Sequence, residues 1–429
     1  MALFKSMLQM TQIMKNTVKF LGLALAMLII SSCGKSGKGL GELTGVADRP
    51  KWKADIPFGM AYIKSGTFQV GSGDEDISRY YIARPKTISL QGFYMDETEI
   101  SNNEYRQFVH WVRDSIAHSI LGDYYEDDYG NEKIDWELEI DWADETLEDM
   151  YYSGEDVVGN RRELDAGQMV YNYDWLDFQA AARDKGRSPR SSFIKRFKVN
   201  IYPDTLCWIR DFSYSYNDPI AKNYFSHPAY DDYPVVGLTW PQANAFCNWR
   251  SKIWNGGKEN TFQDEFRLPT EVEWEYAARG GITNAMYPWG GPYIRNAKGC
   301  LLANFKPGRG NYPEDGGQYT LPVDAYDPNG YGLYNMSGNV SEWTRSAFVE
   351  NAYGFMHDLN PDITYEAQED DPAAFKRKVI RGGSWKDIAY FLQVNTRHWE
   401  YQDTAKSYIG FRCILPYQGR SLNDFGGGR

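Results

Sequence analysis

Cysteine and histidine are both scarce in this 429-residue chain, at five residues each. The histidines, His110, His118, His227, His357 and His398, show no spacing that pairs two of them on a metal. No Gly-x-Ser-x-Gly elbow and no phosphate-cradling glycine loop occurs. The usual sequence signs of a zinc enzyme, a serine hydrolase or a nucleotide-binding enzyme are therefore missing. Positive charge is also short, with 46 Lys and Arg against 58 Asp and Glu for a formal charge of −12, which argues against a general nucleic-acid binder that must neutralise phosphates. The apolar run Phe20–Ile30 is too short to span a bilayer as a mature helix. What is plentiful is apolar and aromatic material: 42% hydrophobic residues, 16% aromatic, 40 glycines, 14 tryptophans and 32 tyrosines. With a mean hydropathy of −0.59, this describes a loop-rich globular protein built around rings, with enough apolar surface for a large core.

The short apolar run has a use. Lys15 and Lys19 precede it and Ser31-Ser32-Cys33 follow it, the order of a secretory signal ending in small residues before a cysteine. The expectation is a lipoprotein signal peptide over 1–32, with Cys33 the lipidated first residue of the mature chain. Removing three lysines and no acids leaves a formal charge of −15, so the anchor holds through its acyl chains and not through basic residues. Gly34 to Gly45, rich in Gly, Lys and Ser, reads as a flexible tether.

Two β-prone runs over Phe58–Gly71 flank Ser65-Gly66 and predict a hairpin. A strand is expected at Phe93-Tyr94-Met95-Asp96. Ser101 and Glu104 then form a capping box ahead of Tyr105, Phe108, Val109, Val112 and Ile116 at helical spacing. A second helix is expected from about Pro241, with Ala243, Phe246 and Cys247 on one face. A third should start at Thr270, with Glu273 reaching back and Gly280 as the stop. Between these, residues 123–156 carry 15 acids against the single Lys133, while Arg183, Lys185, Arg187, Arg190, Lys195, Arg196 and Lys198 oppose only Asp184. Two readings follow: a solvated insertion whose halves partly neutralise each other, or a partner-binding surface. Trp136, Trp142, Trp175 and Trp208 indicate that much of this segment packs.

Eight strings occur in order: Phe93–Glu99, Tyr233–Trp240, Arg267–Glu271, Tyr287–Gly290, Asn329–Asn335, Gly338–Trp343, Arg381–Trp385 and Gly410–Cys413. Together they resemble the formylglycine-generating enzyme family. The resemblance implies an α+β fold of the C-type-lectin-like group, mixed and loop-rich, over residues 57–417. The insertion occupies about 120–230, the lipidated tether 33–56 and a flexible tail 418–429. Two further strings, Tyr105–Asp114 and Asp204–Tyr214, resemble the lipoproteins of gliding motility and type IX secretion in Bacteroidetes. That narrower likeness implies a structural, ring-forming component on the periplasmic face of the outer membrane. Its implied partners are a GldN/PorN-type protein and, indirectly, the GldL/PorL and GldM/PorM motor proteins. A glycan- or peptide-binding role for the substrate cleft is the alternative.

Family resemblance also implies specific sites. The enzyme's chemistry needs two copper-holding cysteines shortly before the Gly-Phe-Arg-Cys ending, and soft thiolates select Cu(I). The stretch Trp385–Ile409 contains no cysteine; counting back places the expected positions near Tyr390 and Asn395. From this the expectation is no copper, no catalytic residues and no enzyme activity. The family pattern also pairs Cys247 with Cys413 in a disulfide, leaving Cys207 and Cys300. Structural calcium is implied at two places: Asn304, Phe305, Asp315 and Gly317, and, at i, i+3, i+5, i+7 spacing, Asn335, Gly338, Val340 and Glu342.

Overall fold

The computed structural model describes residues 55–71, 85–213, 217–256, 264–308, 310–314 and 317–419. They belong to one compact unit, Trp52–Arg429. The expected signal segment, Cys33, nearly all of the tether, most of the tail and Asp315 lie outside the described residues.

The strands are β1 Met60–Ile63, β2 Gly66–Val70, β3 Lys86–Leu90, β4 Phe93–Asp96, β5 Tyr124–Glu126, β6 Glu132–Ile134, β7 Val170–Leu176, β8 Ile194–Asn200, β9 Ser341–Ala347, β10 Arg377–Arg381, β11 His398–Tyr401, β12 Ile409–Gly410 and β13 Ile414–Pro416. The long helices are α1 Asn102–Leu121, α2 Trp240–Gly256 and α3 Glu271–Ala278. Two sheets organise the domain, one in the order β1-β4-β13 and one in the order β11-β10-β9-β12. The rest is three two-stranded ribbons and irregular loop, the α+β architecture expected.

The predicted hairpin over Phe58–Gly71 does not form. Both strands exist, but β1 pairs with β4 and β2 pairs with β3. The reason is packing: Ile63 is buried with Phe93, Met95 and Trp274, whereas Val70 joins Ile88, Leu90 and Val272. The chain turns a corner between two clusters at Ser65-Gly66. A Cβ on Gly66 would lie 2.3 Å from the Tyr276 hydroxyl, so a larger residue there would have to displace that ring.

The helices follow their local signals. Ser101 caps α1, accepting from the Glu104 N–H, while the Glu104 carboxylate accepts the Ser101 N–H at 2.8 Å. Thr270 and Glu273 repeat this on α3, which ends ahead of Gly280 at φ +57°. The apolar faces of α1 and α2 meet around rings: Tyr105 stacks on Phe246 at 5.6 Å, and Phe108 and Phe411 meet them edge-on. Each fully buried ring stabilises the fold by about 1.5–3 kcal/mol, and Tyr105 also donates to the Ile201 carbonyl at 2.8 Å.

Ile201 lies in the insertion, and so do Leu147, Met150, Met169 and Tyr171 of the same core cluster. Trp136 stacks on Trp111 of α1 at 5.3 Å. The insertion is therefore part of the core. Its opposed charge blocks are not seen to neutralise each other among the described residues. The acidic block pairs with Lys133, Arg162 and His118. In the basic block Lys195 pairs with Asp177 and Glu366, and Arg196 with Asp174. Adjacent turns and ribbon strands supply nearer partners than the opposite block does.

Candidate functional site

Three of the strings and helix α3 converge at the junction of the two sheets. Arg412 follows β12, Glu342 sits on β9, Trp274 on α3, and Glu99 just past β4. Arg412 is fully buried and holds Glu342 through two bonds, Nε to Oε2 at 2.8 Å and Nη2 to Oε1 at 2.6 Å. Trp274 Nε1 donates to Glu342 Oε2 at 2.8 Å. The remaining Arg412 donors reach the carbonyls of Asp96, Glu97 and Tyr334. A neighbouring network joins Arg381 and Arg279 to Glu275 and Arg397 to Glu271. This ionic lattice ties α3 to both sheets.

Glu99 lies beside it, completely buried. Its two oxygens accept from Asn335 Nδ2 at 3.2 Å and Asn339 Nδ2 at 3.1 Å. Desolvation pushes its carboxyl up to about 8, with Arg412 pulling the other way and Glu342 adding to the rise. Asn335 and Asn339 adopt φ +50° and +62° and Gly338 +85°, so the segment wraps tightly around Glu99. Of the residues expected to hold calcium here, Asn335, Gly338 and Val340 lie in this wrap. Glu342 Oε2 accepts from Arg412 and Trp274, and Oε1 accepts from Arg412 alone. The residue missed in the sequence is Glu99, a carboxylate held only by two amides. Its signal is an acid at the end of a buried strand with no basic residue near it in sequence.

At the other expected calcium position, Asn304 donates to the Tyr319 carbonyl at 2.8 Å and to Asn339 Oδ1 at 3.2 Å. Its own Oδ1 faces Gly317, where a Cβ would come within 3.1 Å of it and 2.8 Å of Leu321. That crowding explains a glycine there. Phe305 is buried with Tyr287, Leu301 and Leu392, and only its backbone carbonyl oxygen could coordinate a cation. Among the described residues no group of three His, Cys, Asp or Glu is arranged to hold a metal.

The turn after β10 forms a narrow cleft with a cavity of about 20 Å³, lined by Gly382, Gly383, Lys386, Asp387, Phe391, His398 and Tyr408 among others. That is room for about one water. Asp387 accepts from the Ser384 N–H at 3.0 Å and hydroxyl at 2.6 Å and from Lys386 at 3.0 Å. The count placed the thiol positions within a residue of Tyr390 and Asn395, and their neighbours Phe391 and Thr396 line it. These donors do not suit soft Cu(I). The insertion packs against the same turn without lining the cleft: Trp208 stacks on Trp385 at 5.8 Å, and Asp211 accepts from the Ser407 N–H at 2.9 Å and hydroxyl at 2.8 Å.

Cys247 on α2 and Cys413 meet in the core as two thiols, Sγ to Sγ 3.4 Å. The structure brings the expected pair together without a bond between them. Burial pushes the Cys413 thiol up. Cys207 is buried and Cys300 exposed, and they are not joined.

Residues 50–416 match the model of the sulfatase-modifying factor enzyme 1-like domain, and the chain belongs to that family. It is 28% identical over 364 residues to the formylglycine-generating enzyme of Mus musculus, spanning 83% of this chain and 75% of that protein. It is 34% identical over 232 residues to inactive C-alpha-formylglycine-generating enzyme 2 of Mus musculus, spanning 51% and 60%. The solved structure of PvdO from Pseudomonas aeruginosa aligns with a TM-score of 0.48 at 15% identity, covering 83% of this chain and 94% of that one.

These relatives correct one expectation. Two proteins named formylglycine-generating enzyme match over 83% and 86% of this chain, so the comparisons point to an enzyme family and not to a non-enzyme, although the family also holds members named inactive. The inference from the sequence let the composition of one loop, Trp385–Ile409, stand for the class of the whole domain.

Proposed function

We propose that the chain acts as a lipid-anchored structural component of the outer membrane, of the kind represented by the GldK/PorK lipoproteins of type IX secretion and gliding motility. Cys33 is the anchor and the domain faces the periplasm, in complex with a GldN/PorN-type protein and, through it, with GldL/PorL and GldM/PorM. The observation that carries this reading is the way the insertion is fixed to the family core through Trp208 and Trp385, Asp211 and Ser407. It holds an acidic, aromatic face in a set position. Tyr125 and Tyr129 on that face are 49% and 90% exposed. Around them Glu126, Asp128 and Glu132 are exposed and have no cationic partner among the described residues. Aromatic anchors among complementary charge suit a basic protein partner.

Deleting the insertion is a poor test, since Tyr171, Ile201 and Trp208 are buried in the core clusters. Exposed side chains should be changed instead. Tyr125→Ser and Tyr129→Ser combined with Glu126→Lys, Asp128→Lys and Glu132→Lys are expected to lower co-purification of the GldN/PorN-type partner by at least about tenfold, with the unfolding midpoint unchanged. Undiminished recovery of the partner would sink the assignment.

Calcium belongs to the same proposal, at Asn335, Gly338, Val340 and Glu342, with Glu99 beside them as a further carboxylate. Without a cation, folded Glu99 keeps a proton that the unfolded chain releases near its ordinary value of 4.5. Stability should thus fall as pH rises from about 4.5 towards 8, by on the order of several kcal/mol. Thermal unfolding in chelator should show this slope, Glu99→Gln should flatten it, and calcium at pH 8 should restore stability to the parent chain alone. A flat profile in the parent chain would remove Glu99 from the site.

A further inference from the structure

We propose that the tip of the β7–β8 ribbon docks onto anionic phospholipid headgroups. The segment between Leu176 and Ile194 opens with a short helix, Phe178–Asp184, capped by Asp177, and turns at Lys185 in the left-handed region. Arg183, Lys185, Arg187 and Arg190 are all exposed and have no acidic partner among the described residues. The acids beside them are already engaged. Asp184 accepts from the Ser188 N–H at 2.6 Å and hydroxyl at 3.3 Å. Asp177 accepts from the Ala180 N–H and pairs with Lys195 at 3.0 Å. Phe178, on the same short helix as Arg183, is 69% exposed, and Ile194 is 37% exposed.

A chain of formal charge −12 is repelled by an anionic plane everywhere except where cations cluster unpaired, so the long-range field turns this tip towards such a surface. Cations beside an exposed aromatic are the combination that binds a lipid interface: the charges meet the headgroups and the ring enters the acyl boundary. A protein hot spot needs apolar neighbours that exclude water, and here the neighbours are exposed Ser188, Pro189, Ser191 and Ser192. The inference rests on the membrane-anchored reading only for where the chain would meet such a surface. In that setting the tip supplies a second, non-covalent contact that fixes the domain's orientation.

The test is partitioning of the full chain between vesicles of phosphatidylcholine alone and vesicles that also contain phosphatidylglycerol. The parent chain is expected to favour the anionic vesicles by at least about tenfold at low salt, and to lose the preference as salt rises. Arg183→Glu, Lys185→Glu, Arg187→Glu and Arg190→Glu together should abolish it, with an unchanged unfolding midpoint because these side chains are exposed. Phe178→Ser should weaken binding to both compositions and keep the preference between them. Any contribution of the N-terminal segment is common to parent and variants and cancels in the comparison. Equal partitioning of the parent, as expected were the tip a site for an acidic protein, or a preference that survives charge reversal, overturns the proposal. Either result leaves the GldN/PorN co-purification unchanged, so the two readings fail separately.

Discussion

Replacing Glu342 with alanine is expected to destabilise the fold by about 3–5 kcal/mol, measured by urea or thermal unfolding. Arg412 stays buried with three carbonyl partners but loses its counter-charge, and Trp274 Nε1 loses its acceptor at 2.8 Å. An uncompensated buried guanidinium is the costlier part, because desolvation is no longer offset by ion pairing. Removing both partners should cost much less: Glu342→Met with Arg412→Met leaves no charge stranded, and the double variant is expected to recover most of the loss. Glu99 makes the effect depend on pH. Burial and the neighbouring Glu342 push its carboxyl up to about 8; without Glu342 the pull of Arg412 favours the ionised form more, and once ionised Glu99 can answer Arg412, so Glu342→Ala should cost more at pH 5 than at pH 9. A loss below about 1 kcal/mol at both values would mean that the pair is incidental to the fold.

The second large effect concerns Cys247 and Cys413. In an oxidising compartment the proposal is that these facing thiols join, closing a loop between positions 166 apart in sequence. In the chain-entropy account such a loop contributes about 5 kcal/mol, less if the reduced chain keeps residual structure. Peptide mapping without reductant should find the two residues linked, and reductant should lower the unfolding midpoint markedly. Cys247→Ala with Cys413→Ala should be insensitive to reductant. Because burial holds Cys413 away from the thiolate, the reduced native protein should oxidise slowly, and the bond should form mainly during folding. Two free alkylatable cysteines in protein taken from the periplasm would refute the pairing.

Much of this architecture is legible in the chain. The capping boxes at Ser101–Glu104 and Thr270–Glu273 are local chemistry, settled within four residues, and both helices begin where those pairs stand. The family strings mark the sheet junction because Glu99, Glu342 and Arg412 each belong to one of them, and Trp274 lies on the helix that a fourth one starts. Less legible is anything decided by distant packing. Ser65-Gly66 has the composition of a hairpin turn, but the pairing of β1 and β2 depends on Phe93 and Ile88, tens of residues away. The charge blocks of the insertion look complementary on paper, yet their side chains pair with other neighbours, Lys195 with Asp177 and Glu366 and Arg162 with Glu148. Glu99 was hidden because its environment is built by Asn335 and Asn339, more than 200 residues on. The expectation of a non-enzyme rested on one loop, whereas family membership is carried by the whole domain.

β4 lies at the centre of its sheet, between β1 and β13, and Met95 pairs with Ala61 on one side and Ile414 on the other. During synthesis one side of that strand stays bare until the distant β13 has been made, so the domain cannot mature vectorially from its N-terminus. A frameshift or stop codon shortly before Ile414 would therefore do more than trim an end: it would leave an open edge prone to pairing with other chains and send the product to proteolysis in place of assembly.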